Sequence, residues 1–152
     1  MLRRRLPLVA TLLVLAAAGS LAGCGDDSLT AEQLRTQATA ICRQTAAATD
    51  RIAVPSTPEQ GGRFLSDGVA RLRPALARLR ALKAPEELRE RYDRAVELGG
   101  QELALIARHE RAIESGDDVI DTFRRLDGEL EPLTQQEDAY WRGLMIPACV
   151  RR

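Results

Sequence analysis

Apolar and polar residues along this chain fall into five blocks. The first is a continuous apolar run over residues 6–18, set behind Arg3, Arg4 and Arg5. The other four are amphipathic, with apolar residues recurring at steps of three and four, which places them on one helical stripe each. The first amphipathic block carries Leu34, Ala38, Ile41, Ala48 and Ile52, with Thr45 in the gap. Thr30 and Gln33 have capping-box spacing, and Leu29 with Leu34 suits a hydrophobic staple, so a helix is predicted to start at Thr30. Val54-Pro55-Ser56-Thr57-Pro58 breaks it. The second block spans 58–83, with Thr57 as cap and Pro58 at the first helical position. Its stripe is Leu65, Val69, Leu72, Leu76 and Leu79; Gly61 and Gly62 weaken the first turns, and Pro74 is expected to kink it.

The third block opens at Pro85 and carries Leu88, Tyr92, Ala95 or Val96, Leu103, Ile106 and Ile113. Gly99-Gly100 is expected to interrupt it, and Ser115-Gly116-Asp117 to turn the chain. The fourth spans 116–143, with Val119, Phe123, Leu126, Leu130, Leu133, Tyr140 and Leu144 in register, broken only by Glu137. Pro132 is expected to bend it, and residues 144–149 continue as a tail.

The first block is a different object. At thirteen residues it falls short of the about 20 that a membrane-spanning helix needs. A basic head, a short apolar core and small residues behind it mark a secretory signal peptide. Leu21-Ala22-Gly23-Cys24 follows, and the segment resembles the export signal and lipobox of a bacterial lipoprotein. That resemblance implies removal of residues 1–23, a diacylglyceryl thioether on Cys24, and attachment to the extracytoplasmic face of the cell membrane. Two acyl chains anchor a protein stably where one does not. Residues 24–29 then form a short lipidated tether, and 30–152 the bundle domain.

Without residues 1–23 the chain has 19 basic and 22 acidic side chains, because all three early arginines leave with the signal. Such a balance argues against nucleic-acid binding, which needs a strongly basic domain. The mature part keeps five aromatic residues, so its core is built from Leu, Ile, Val and Ala, which suits helices better than a sheet. Cys42 and Cys149 remain after lipidation of Cys24, in a compartment where disulfides persist, and they are expected to pair. A thiol metal site lacks partners: the chain has one histidine and no Cys-x-x-Cys.

The resulting expectation is an all-α, up-down-up-down four-helix bundle with kinked helices and a C-terminal tail tied back by the disulfide. In that topology helix four ends beside the start of helix one. Cys42 then lies about 18 Å along helix one, and an extended tail from Gly143 reaches about 20 Å.

Candidate chemistry is sparse. His109, flanked by Arg108, Glu110 and Arg111, reads as an exposed helix residue. A haem held by His109 and Met145 lacks an attachment motif and would need ligands from opposite ends of the bundle; Ile106 stands where a di-iron Glu-x-x-His motif needs its glutamate. No Gly-x-Ser-x-Gly elbow or phosphate loop is present. The chain is therefore read as non-enzymatic, with no cofactor and no metal.

Charge adds one lead. Residues 58–83 carry a net +4 and residues 116–143 a net −5. With the turn between helices two and three at the lipidated end, Arg78, Arg80, Lys83, Arg89 and Arg91 would face anionic headgroups, at about 1 kcal/mol each. Two functions fit: an envelope-anchored module that binds a protein or another envelope component, or a carrier or sensor of a small apolar ligand held between the helices. Entry for that ligand is expected near Pro74, Gly99-Gly100 and Pro132. Ile41-Cys42-Arg43 in the first helix and the Gly143-Leu144…Cys149 ending also resemble small helical lipoproteins of GC-rich actinobacteria, a group without an assigned activity. The resemblance implies fold and location only.

Overall fold

The computed structural model describes residues 27–150; the apolar run, the lipobox and Cys24 lie outside them. Within them are four helices and no strand: α1 (Ala31–Thr49), α2 (Gly61–Ala81), α3 (Glu86–Glu114) and α4 (Val119–Gly143). Short 3₁₀ turns stand at Pro58–Gln60 and Pro147–Cys149. Consecutive helices run antiparallel, giving the up-down-up-down bundle.

Local chemistry explains most boundaries. Thr30 caps α1 through the complete capping box: its hydroxyl accepts from Gln33 N–H at 3.2 Å, and the Gln33 side chain accepts from Thr30 N–H at 2.9 Å. Asp118 caps α4 by accepting from Asp121 N–H at 2.9 Å. Pro85, fixed near φ −65°, sits just outside α3 as its N-cap. Thr57 differs from expectation. It precedes a 3₁₀ turn rather than the α-helix, and its side chain caps no backbone N–H.

α3 and α4 end in the same way. Gly116 N–H bonds to Ile113 C=O and Asp117 N–H to Ala112 C=O, each at 3.0 Å. Met145 N–H bonds to Arg142 C=O and Ile146 N–H to Trp141 C=O, also at 3.0 Å. Both are Schellman closures, which need a left-handed residue. Gly116 supplies it at φ 102°, but at the end of α4 the position is filled by Met145 at φ 60°.

Neither glycine pair loosens its helix. Gly99 and Gly100 lie inside an unbroken α3, where the Glu137 carboxylate and the Arg80 guanidinium press on the backbone. A Cβ on Gly61 would sit 2.5 Å from Val119 Cγ1, so this glycine lets the start of α2 meet the start of α4. Pro74 and Pro132 lie within α2 and α4 without ending them. Each proline leaves the carbonyl four residues earlier without its helical partner. Those residues, Ala70 and Gly128, are exposed, so water can serve both carbonyls.

The core has two parts. The proximal cluster joins Leu34, Ala38 and Ile41 of α1 to Leu76, Leu79, Tyr92, Trp141, Leu144 and Ile146. Its rings meet edge to face, Tyr92 against Trp141 at 5.8 Å and 77°, a favoured aromatic geometry. The distal cluster joins Leu65, Val69, Leu105, Ile106 and Leu126, with Phe64 and Phe123 packed on it, and draws nothing from α1. The expected α1 stripe therefore holds for three residues only. Thr45, Ala48 and Ile52 are half-buried, and Ile52 lies beyond the helix end. The physical reason is size: toward the open space the distal part of α1 offers Ala46 and Ala47, whose methyl groups cannot fill the volume opposite three leucine-rich helices.

The tail closes the proximal half. Cys42 and Cys149 form a disulfide with Cα atoms 5.1 Å apart. Ile146 is fully buried, and Arg35 Nε donates to Leu144 C=O at 2.9 Å. The tail is compact rather than extended, because the Schellman turn and the 3₁₀ turn fold it directly onto α1. α1 thus packs against α2 and this tail.

Candidate functional site

A cleft of about 1040 Å³ opens where the distal part of α1 stands away from α4. Its α1 wall runs from Thr39 to the helix end at Thr49, about 15 Å at 1.5 Å per residue, and Asp50 and Ile52 extend it. Two threonines in that wall satisfy themselves locally. The Thr45 hydroxyl donates to Ile41 C=O at 2.8 Å, and the Thr49 hydroxyl to Ala46 C=O at 2.9 Å. The wall therefore makes little polar demand. Opposite it stand Phe64, Leu65 and Leu72 of α2, Leu103 and Ile106 of α3, and Phe123, Leu126 and Leu130 of α4. The disulfide and the tail residues Pro147, Ala148 and Val150 form the proximal end, beside Trp141.

Two carboxyl side chains interrupt this apolar lining at the α3–α4 seam. Glu102 is 2 % exposed and accepts from the Thr134 hydroxyl at 2.8 Å. Glu137 accepts from the Trp141 indole N–H at 2.8 Å. A Cβ on Gly99, one turn before Glu102, would lie 3.0 Å from Glu137 Oε1, so the two carboxyl groups share one short stretch of the floor. The sequence carried a signal for both. Glu137 interrupts the α4 stripe, and Glu102 stands seven residues after Ala95, on the same face of α3. Of the expected entry residues, Gly99 lines the cleft; Pro74, Gly100 and Pro132 do not.

His109 corrects an expectation. It is 5 % exposed, not a surface residue, and lies seven residues beyond Glu102 on the same stripe. Its Nε2 is 3.4 Å from Glu129 Oε1 without hydrogen-bond geometry. Glu129 also meets Arg108. Met145, its partner in the haem idea, is 62 % exposed. Among the described residues no group of three or more His, Cys, Asp or Glu is arranged to hold a metal ion.

The five basic residues are dispersed along the proximal half. The α2–α3 turn does share an end with the start of α1: Leu29 N–H donates to Lys83 C=O at 2.8 Å, and Lys83 Nζ lies 3.4 Å from Asp27. Arg89, in the first turn of α3, pairs with Glu86. Arg78 instead reaches Gln44 of α1 at 2.9 Å, and Arg91 reaches Gly143 C=O at 3.4 Å. Arg80 lies over Gly100, more than three turns into α3. Lys83 and Arg89 are thus the members nearest the turn.

Among the described residues, no helix is long and apolar enough to cross a membrane. No protein-family model, curated protein or solved structure matches the chain.

Proposed function

We propose that this protein is a non-enzymatic lipoprotein, anchored through acylated Cys24 on the extracytoplasmic face of the cell membrane, whose bundle holds a small apolar ligand in the cleft between α1 and α4. The cleft carries this reading. Its volume of about 1040 Å³ reaches the upper end of the range for ligand sites, roughly 300–1,000 Å³, and its lining is mostly apolar with few polar groups. The lipobox supports the anchor, and the contact of Leu29 with Lys83 sets the N-terminal end of the domain beside the α2–α3 turn. Docking of a protein partner has less support. The exposed large hydrophobics Val54, Ile120 and Met145 are divided between the two ends rather than gathered in one patch.

The test uses the full chain on neutral phosphatidylcholine vesicles and a neutral fluorescent probe, N-phenylnaphthylamine. Gly68 lines the cleft, and nothing lies within 4 Å of a Cβ placed on it, so a larger side chain can start there without meeting a neighbour; Gly68→Leu is the filling variant. The probe should brighten beyond the vesicle background and lose affinity about tenfold with Gly68→Leu. No brightening, or none lost on filling, refutes the cleft as a binding site. Cys24→Ser should move the protein out of the membrane fraction; full retention there refutes the anchor.

A further inference from the structure

The covalent crosslink of this domain lies in the wall of the cleft. Cys42, Cys149 and the tail residues Pro147, Ala148 and Val150 all line it. We propose that the Cys42–Cys149 bridge is a redox latch: closed, it holds the cleft in its binding shape, and its reduction by an extracytoplasmic dithiol protein releases the ligand. This rests on the reading of the cleft as a ligand site.

The position of Cys42 on α1 is the first reason. The buried residues of α1 are Leu34, Ala38 and Ile41, so its packed part ends one residue before Cys42. From Arg43 to Thr49 no residue is buried, yet Arg43, Thr45, Ala46, Ala47 and Thr49 form half of the α1 side of the cleft. A hydrogen bond at 2.9 Å from exposed Arg78 to Gln44 ties this stretch to α2. The bridge is thus the last firm hold on α1 before the wall begins to stand free.

The tail gives the second reason. It stays anchored as far as Ile146, which is fully buried, and Leu144 C=O keeps its bond from Arg35 at 2.9 Å. Beyond Ile146, Pro147 is exposed, and Ala148, Cys149 and Val150 are half-buried. Opening the bridge therefore frees the cleft's proximal end and its α1 wall together, while the proximal cluster keeps its packing. A site whose walls are already ordered binds more tightly than one that the ligand must order. Ordering the short tail and a few wall side chains anew weakens a ligand by about tenfold.

The exchange needs access and a balanced step. Both cysteines are half-buried rather than sealed. A thiolate of the donor dithiol attacks Cys149 Sγ, and Cys42 leaves as a thiolate and takes a proton. The donor's second thiol then attacks the mixed disulfide and releases Cys149. The donor ends as a disulfide, and two electrons and two protons pass to the cysteines.

The test uses the full chain on neutral phosphatidylcholine vesicles with N-phenylnaphthylamine as probe. Affinity is measured for the oxidised chain and for the chain reduced with dithiothreitol. A third sample has its two thiols rejoined through one methylene by dibromomethane, a crosslink that dithiothreitol does not cleave. Circular dichroism follows helix content in each, with trimethylamine N-oxide added to keep the reduced chain folded. Reduction should weaken the probe about tenfold at unchanged helix content, and the methylene-bridged chain should stay within about threefold of the oxidised one. Binding and reduction are linked, so saturating probe should raise the ratio of reduced to oxidised dithiothreitol needed for half-reduction by the same factor. Equal affinity of the reduced and oxidised chains, a ratio unmoved by the probe, or a methylene-bridged chain as weak as the reduced one overturns the latch and leaves the cleft reading standing. Loss of helix content on reduction, even with the N-oxide, also overturns it, because reduction then unfolds the domain instead of opening the cleft. No brightening with the oxidised chain overturns both readings.

Discussion

Removing the Cys42–Cys149 disulfide should remove much of the stability of this domain. The bridge closes a loop with a sequence separation of 107. In the chain-entropy model that length restricts the unfolded chain by about 4.8 kcal/mol at 25 °C. A domain of this size is stable by about 5–15 kcal/mol in all, so the crosslink is worth a third or more of the total. The native state keeps other ties to the tail. Ile146 remains buried in the proximal cluster, and Arg35 still holds Leu144 C=O. Cys42→Ala/Cys149→Ala should therefore still fold, but with α1 held only through α2 and the uncrosslinked tail. Urea unfolding followed by circular dichroism, oxidised chain against double variant, measures the difference. A loss of about 3–5 kcal/mol is expected, with a steeper dependence on urea because the unfolded variant exposes more surface. Hydrogen exchange should quicken first in α1, the helix that depends on the tail. A loss below about 1 kcal/mol with unchanged slope would refute the long-loop staple.

Three further substitutions test other parts of the fold. Met145→Gly relieves the left-handed residue that closes α4, costs little packing at 62 % exposure, and should raise stability by about 0.5–1 kcal/mol, seen as a higher melting temperature; a decrease would mean the Schellman closure is not formed. Gly61→Ala pushes a methyl to 2.5 Å from Val119 Cγ1 and should cost about 1–3 kcal/mol in urea unfolding; a neutral result would mean α2 and α4 do not meet there. Tyr92 donates to Leu79 C=O at 2.8 Å, and burial, helped by the charge of Asp93, raises its phenol above the ordinary 10.0. The neutral phenol is favoured in the fold, so its contribution is whole below pH 10 and declines as pH rises beyond that, when the unfolded chain ionises first. Tyr92→Phe should cost about 1 kcal/mol at neutral pH and flatten this alkaline decline; an identical pH profile would refute the burial argument.

Much of the architecture was legible because helices announce themselves through local pattern. Thr30, Pro85 and the Ser115-Gly116-Asp117 turn act within a few residues of their place in the chain, so their outcome needs no tertiary knowledge. The Cys42–Cys149 pairing was legible from the resemblance to an exported lipoprotein, which consumes Cys24 and leaves two thiols. Gly61, Gly99 and Gly100 were misread as weak points, because a glycine that admits a neighbouring element looks the same in sequence as one that loosens a helix. His109 and Glu102 were hidden by a polarity rule. Their heptad spacing from Ala95 already placed them on the inward face of α3, but charge and polarity argued for solvent.

The sequence by itself determined the number, order and amphipathic faces of the helices. Only the tertiary structure decided where the bundle stays open. Periodicity says which face of α1 turns inward; it does not say whether the facing volume is filled. That depends on Ala46 and Ala47 standing opposite large side chains of three other helices, and on a tail that seals the proximal end alone. Filling is a property of volumes summed across elements distant in sequence, so the cleft, and the two glutamates on its floor, emerge only when the helices are assembled.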